Sequence, residues 1–374
     1  MAQKTFGLIR ALTMSILSKY IARKFWGPFI FIICIFAALI FLGDSIEKMR
    51  WVSSYSASVR MVFKYSLLTM PSLLLMVLPV ACLLSALLVI TDMINSGEWT
   101  ACLAGGFTVR QIFGPIIICI SFVSLCGLAF QEFAVPAMYK RANLILQVKI
   151  KHRADWKANT QRDVTLRLDA NRVLFAKTVR TDEGLMHGMF IDVYDDSRAI
   201  SRQINARSFR WDAAARTWYF EDGFIRYFGR GASVREKPFV KMASDFSIPP
   251  AQIALGRADQ EELSIRELLR RIKFLKSSGL SVFQEYTFLN AKLAAPFATL
   301  VMCLLGMPLA IALKRSSKFI NVVCAVAIGF TFWWIVSLLN SAGESGIVNP
   351  VVAGWLPVSF FAVVAFIEFK LLKI

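Results

Sequence analysis

Residues 25–42 carry no charged side chain, and neither do residues 65–91, 112–130 or 319–340. Runs of 289–313 and 351–369 are nearly as apolar, interrupted only by Lys292 and Glu368. About 20 apolar residues suffice to cross the hydrocarbon of a bilayer as a helix. In lipid an open segment would leave its N–H and C=O groups unsatisfied, so such runs can only be helices. The chain therefore reads as polytopic, with three spans, a long polar insert and three more spans. Pro28 sits near the start of the first run, where a missing N–H is tolerated. Pro71 and Pro79 lie inside the second, where neighbouring helices re-satisfy the freed carbonyls and a kink often remains.

The rest of the composition fits that frame. Hydrophobic residues make up 56% and charged residues 18% of 374, against about 25% charged in ordinary soluble domains. The formal charge of +18 allows a nucleic-acid partner or a membrane protein with basic ends and an anionic lipid ligand. The apolar runs decide for the membrane and against nucleic acid. All seven cysteines lie in or beside those runs, so no disulfide is expected in the insert, and no CxxC pair suggests zinc or redox chemistry. The first apolar run has no small-residue cleavage site after it, unlike a signal peptide. Residues 1–24, with Lys19, Arg23 and Lys24, read as an amphipathic segment on the membrane surface.

Short basic loops orient the spans. Lys19, Arg23 and Lys24 precede the first, Lys314, Arg315 and Lys318 join the fourth to the fifth, and Lys370 and Lys373 follow the last. Six spans put all of them on one side, which the positive-inside rule makes cytoplasmic; the insert then lies outside despite its own basic charge.

Within the insert, alternating runs such as Val164-Thr165-Leu166-Arg167-Leu168, Arg172-Val173-Leu174-Phe175-Ala176, Gly188-Met189-Phe190-Ile191-Asp192-Val193-Tyr194 and Thr217-Trp218-Tyr219-Phe220 predict strands. Asp182-Glu183-Gly184, Asp195-Asp196-Ser197 and Asp222-Gly223 predict the turns between them. Short, evenly spaced strands suggest a sandwich or jelly roll. After Pro249-Pro250, Ser264-Ile265-Arg266-Glu267 has capping-box spacing, and a helix is expected through Leu268, Leu269, Ile272 and Leu275, ending near Ser277-Ser278-Gly279.

Two constellations suggest function. Glu98, with Trp99 beside it, lies in the short connection between the second and third spans. A carboxylate and an aromatic there suit docking into a partner's groove; a solvated loop charge explains them equally well. Lys48, Arg50, Arg60 and Lys64, with Asp44 and Glu47, cluster at the outer ends of the first two spans, and Lys292 lies just inside the fourth. An intramembrane lysine faces a cavity or partner by default, so these residues form a candidate basic rim for an anionic head group; snorkelling is the competing explanation for Lys292. His152 and His187 are isolated, Asp195 and Asp196 point apart, and no GxxxxGK[ST], GxSxG or HExxH motif occurs. Nucleotide hydrolysis in this chain is therefore not expected.

The chain resembles the lipopolysaccharide transport permeases, LptF and LptG. The layout carries the likeness over nearly the whole length. The more specific evidence is Glu98 with Ala104-Gly105-Gly106-Phe107-Thr108, and the stretch from Leu263-Ser264-Ile265-Arg266-Glu267-Leu268 through Ala295-Pro296 to Gly306-Met307-Pro308-Leu309. Gly343-Glu344-Ser345-Gly346 and Trp355-Leu356-Pro357 add to it, and Gly106-Phe107-Thr108 is more similar to LptG than to LptF.

The resemblance implies a membrane α-helical fold of six transmembrane helices, 3+3, with an inserted all-β periplasmic jellyroll domain. By that likeness residues 1–24 are a cytoplasmic segment and 25–130 hold the first three spans, with a coupling helix near 95–109. Residues 131–262 form the jellyroll, 263–288 a connecting helix and 289–374 the last three spans. It implies a non-catalytic permease of the bacterial inner membrane that pairs with a second permease, an LptB-like cytoplasmic ATPase dimer and an LptC-like single-span jellyroll protein. Lipopolysaccharide would pass through a cavity lined by the first and fifth spans to a periplasmic bridge. No cofactor is expected in this chain, ATP-Mg belonging to the partner ATPase. Glu98, Trp99, Gly106 and Phe107 would couple to that ATPase, whose closure would move the second and third spans and squeeze the cavity. One departure stands out: residues 38–44, Ala-Leu-Ile-Phe-Leu-Gly-Asp, lack a lysine found there in the family. Head-group attraction then falls to Lys48, Arg50, Arg60, Lys64 and Lys292. Two rival classes remain at this point: a membrane-anchored enzyme acting on envelope lipid or glycan, and a structural or sensory protein.

Overall fold

The computed structural model describes residues 16–151, 160–168, 171–180, 183–195, 199–228, 234–245, 249–250, 259–277, 281–314 and 316–372. Most of the N-terminal segment, His152, Asp182, Asp196, Ser197, Ser278 and Gly279 fall outside them.

Six helices are long and apolar enough to cross a membrane. The first, α1, spans Ile16–Lys48 and is followed by the short α2, Arg50–Tyr55. Residues 16–24, expected to lie on the membrane surface, instead form the first turns of α1. Pro28 is consequently well inside a helix. It removes the bond that would be donated to the carbonyl of Lys24, and Phe25 and Phe29, buried and stacked at 5.5 Å, hold the helix around that gap.

The second span, α3, is Val59–Asn95. A turn through Gly97, at φ 76°, leads into α4, Glu98–Ala104. Gly106, at φ 80°, then reverses the chain, because glycine alone adopts the left-handed conformation without strain. Thr108 and Gln111 form a capping box that starts α5, Val109–Leu144, which continues through a π turn at Ile145–Ile150.

Three more spanning elements close the bundle: α7, Phe283–Ala312, α8, Lys318–Glu344, and α9, Pro350–Leu371. The central member is α7, packed against α3, α5, α8 and α9. Small residues let its backbone approach closely, as is usual between helices in lipid. A Cβ on Gly306 would lie 2.7 Å from the Leu83 carbonyl oxygen, and one on Gly354 of α9 would lie 2.7 Å from Asn290 Cβ. Polar bonds fix the pairings: Ser124 Oγ donates to the Pro296 carbonyl at 2.7 Å, Trp355 Nε1 to Asn290 Oδ1 at 3.3 Å, and Asn321 Nδ2 to Thr91 Oγ1 at 3.2 Å.

The expected all-β insert is present as one six-stranded antiparallel sheet: β1 Thr160–Arg167, β2 Arg172–Arg180, β3 Leu185–Tyr194, β4 Ile200–Asp212, β5 Thr217–Phe228 and β6 Val234–Ala243. The strands are hydrogen-bonded in chain order, as a meander. On one face Leu174, Val179, Met186, Ile191, Phe209, Trp218 and Phe220 form an apolar core, covered by Phe274 and Leu275 of α6, Ile265–Ser277. Phe209 stacks on Trp218 at 4.9 Å.

Two boundaries differ from expectation. The sheet begins at Thr160 rather than near Gln131, because the third span continues as helix to Ile150. The connecting helix is α6 alone, since residues from Phe283 onward already belong to α7. Asp222-Gly223, expected as a turn, lies inside β5. Asp222 has φ 49°, a local kink in a strand that pairs on both sides.

Candidate functional site

At the end of the bundle that carries α4, four helices converge on a set of charges. Glu98 opens α4, and its carboxylate receives Lys24 Nζ of α1 at 3.0 Å (Oε1) and 2.9 Å (Oε2). The Tyr20 hydroxyl, one turn earlier on α1, donates to Glu98 Oε1 at 3.1 Å. The same Lys24 ammonium lies 2.9 Å from Asp92 Oδ2, near the end of α3. Asp92 Oδ1 is in turn 3.2 Å from Lys318 Nζ, the first residue of α8.

These groups are partly shielded: the side chains of Lys24 and Glu98 are 19% and 32% exposed. Burial works against the charged form of Glu98, but the hydrogen bonds from Lys24 and Tyr20 outweigh it and hold the carboxyl below its ordinary value. It is an anion at neutral pH with one side open to solvent.

Trp99 is half-buried against the bundle core, its ring 5.9 Å from that of Phe113 on α5. It anchors α4 rather than presenting itself to solvent. Leu103 and Phe107 are exposed at 41% and 39%, beyond the anchored edge of α4. Gly105 and Gly106 beside them are also exposed. The result is a small apolar knob next to a carboxylate, a combination suited to a partner's groove rimmed with a cation.

The predicted basic rim does not form a single patch. Lys48 is already paired, with Asp44 Oδ1 and Oδ2 at 2.6 and 2.7 Å and the Tyr65 ring 4.5 Å from its nitrogen. Arg50 is exposed and donates to the Glu47 carbonyl at 3.3 Å. Arg60 and Lys64 stand exposed one turn apart at the start of α3, with no ion pair among the described residues. Those two keep charge available for an anionic group.

Lys292 is already engaged within the chain. It is 3% exposed and donates to the Leu263 carbonyl at 2.8 Å, with the Phe288 ring 5.2 Å away. It holds the connection between sheet and bundle. That connection is secured at several further points. Glu132 Oε2 accepts from the Ile265 N–H at 2.7 Å, capping α6 from another helix. Ser264 and Glu267 form the expected box, at 2.9 and 3.2 Å. Arg271 pairs with the buried Glu285 of α7 at 3.1 Å, Lys140 with Glu267 at 3.1 Å, and Ser72 donates to Glu261 at 3.0 Å. Burial raises the Glu262 carboxyl, more than the Asn143 bond lowers it.

Sequence reasoning missed Tyr20, Lys24, Asp92 and Lys318 as a group, although the signal was there. Each lies at the boundary of an apolar run on the same side, and the carboxylate of Asp92 falls at the same depth as Lys24 and Lys318. Among the described residues no group of three His, Cys, Asp or Glu could hold a metal ion; His187 is exposed on β3.

The comparisons agree with this architecture. A family model described as "Lipopolysaccharide export system permease LptF/LptG" matches residues 19–371. Among curated proteins the chain is similar to the lipopolysaccharide export system permease protein LptG of Escherichia coli strain K12, at 21% identity over 355 residues, covering 93% of this chain and 96% of that protein. The corresponding LptG of Escherichia coli O6:H1 matches to the same extent.

Proposed function

The chain belongs to the LptF/LptG family of lipopolysaccharide export system permeases, and from that premise we propose how its parts divide the work. It is a multi-pass, non-catalytic permease of that export system. The enzyme and sensory rivals fall away with the family match, which runs through both sets of spans and the insert.

The finer reading is an LptG-type half-transporter in the bacterial inner membrane, with both termini cytoplasmic and the sheet periplasmic. It pairs with a second, LptF-like permease, an LptB-like ATPase dimer that uses ATP-Mg, and an LptC-like single-span jellyroll protein. Identity spread over 96% of LptG supports the choice of subunit, and the basic loop ends support the orientation.

The observation that carries the mechanism is α4. Glu98, Phe107 and the turn at Gly106 present a carboxylate and an apolar knob, with Trp99 tying them to the bundle. Nucleotide-driven movement of the ATPase would be felt at α4 and passed to α3 and α5, which it joins. At the other end Arg60 and Lys64, exposed one turn apart on α3, are the groups we assign to the phosphorylated head of lipopolysaccharide. Lys48 and Lys292 are occupied within the chain and are not assigned to it.

Copurification from mildly solubilised membranes tests the reading. The wild type is expected to bring down an ATPase and a second six-span permease. Glu98→Lys should retain the permease and lose the ATPase. A wild-type chain that emerges alone would contradict the half-transporter assignment.

A further inference from the structure

The charge cluster around α4 has a property that a simple staple would not need: its central cation is shared. Lys24 Nζ is 2.9 Å from both Asp92 and Glu98. Asp92 has a second cation, Lys318, and Glu98 a neutral donor, Tyr20. Two lysines thus balance two carboxylates, and Glu98 is the carboxylate at the edge of the α4 surface.

A third cation arriving at Glu98 unbalances this set. Lys24 then has a low-cost alternative, because Asp92 already holds it and no new geometry is required. We propose that Lys24 is a positioning residue whose bond to Glu98 is exchanged. In the free permease it neutralises Glu98, and a cationic side chain of the docking ATPase takes that carboxylate while Lys24 stays on Asp92. This rests on the reading of α4 as the ATPase contact and adds the intramolecular competitor that the contact displaces.

The exchange removes the Lys24–Glu98 ion pair between α1 and α4 and leaves the Tyr20 hydroxyl on Glu98. Before docking, the foot of the first span is ion-paired to α4; afterwards it is paired only to α3 and, through Asp92, to α8.

The experiment titrates the purified ATPase subunit onto nanodiscs holding this full-length chain and its partner permease, with affinity as the readout. Removing the competitor, Lys24→Gln, should tighten docking by about five-fold, as for loss of a partly exposed ion pair. Lys24→Arg should restore the wild-type value. Asp92→Asn leaves Lys24 wholly to Glu98 and should weaken docking by a similar factor. Glu98→Gln should weaken it further.

If Glu98→Gln weakens docking but Lys24→Gln leaves it unchanged or weaker, the exchange is wrong and the docking role of α4 stands. Should Glu98→Gln have no effect, the docking role fails and the exchange fails with it. Where Lys24→Gln does not assemble with the second permease, Asp92→Asn decides alone: weaker docking supports the exchange, and unchanged or tighter docking overturns it.

Discussion

Lys292 illustrates how little a single charge in an apolar run says about its role. From sequence it marks a cavity or a head-group site, because a lysine exposed to lipid is costly. In the folded chain the ammonium donates to the carbonyl of Leu263, 29 residues away, with the Phe288 ring beside it. Replacing it with methionine keeps the length and leaves that buried carbonyl without a donor, a loss of about 1–3 kcal/mol. Lys292→Met should therefore lower the thermal midpoint in detergent while leaving photo-crosslinking to lipopolysaccharide per folded molecule unchanged. Arg60→Gln with Lys64→Gln should do the reverse. Loss of lipid crosslinking in Lys292→Met at an unchanged midpoint would return it to the binding surface. The capping box at Ser264 and Glu267 was legible because both its members are local. The partner of Lys292, and the pairing of Glu98 with Lys24 across 74 residues, depend on which helices become neighbours.

Elements were legible in proportion to how far their pattern departs from the alternatives. The six apolar runs gave all six spanning helices but understated their length, since helices continue past the membrane wherever a cap or a packed surface supports them. Of the expected surface segment, residues 16–24 continue α1 for that reason: Ile21 and Phe25 are fully buried against the bundle, which draws them into the helix. Strands β1, β2, β3 and β5 stood out by alternation. Strand β4, rich in arginine and serine, and β6, with Arg235, Glu236, Lys237 and Lys241, did not.

Asp222-Gly223 was misread because a turn signal and a strand kink use the same residues. A Cβ on Gly223 would meet the Asn205 carbonyl oxygen at 2.2 Å and the Phe239 ring at 2.4 Å. Gly223→Ala is accordingly expected to cost about 1–3 kcal/mol in the sheet, seen as faster amide exchange across β4–β6 with the helices unaffected. Adding Phe239→Ala should restore only part of that protection, because the Asn205 oxygen belongs to the backbone and cannot move aside. Full recovery would mean that the ring alone required the glycine.

For the whole molecule, the uneven burial of the spans matters most. Over half of the apolar window is buried in α3 and α7, but only 17% in α1 and α8. Phe31 and Leu39 on α1, and Phe330 and Trp334 on α8, are each more than 60% exposed. These two helices are the least covered of the six, and the proposed second permease and lipid path would lie against them. A photo-reactive residue at Phe330 should capture the second permease or lipopolysaccharide, while one at the buried Met302 should capture neither. Labelling confined to bulk phospholipid at Phe330 would place the partner elsewhere. No reading of one sequence could supply this, because the asymmetry emerges only once all six helices are packed.

The third span has a mechanical consequence. From Val109 to Ile150 it is a continuous 42-residue helix, about 60 Å long at 1.5 Å per residue, whereas the hydrocarbon it crosses is about 30 Å thick. Roughly half its length is therefore more helix than the crossing requires, and the part beyond the apolar run, residues 131–150, extends it like a mast. Tethered to α6 through Lys140 and Glu132, the mast has the geometry of a lever arm. A tilt of a few degrees imposed at its base, beside α4, becomes a displacement of several ångströms at its tip, on the scale of an acyl-chain diameter. Lengthening or kinking that arm by design would change the displacement at its tip without touching either end.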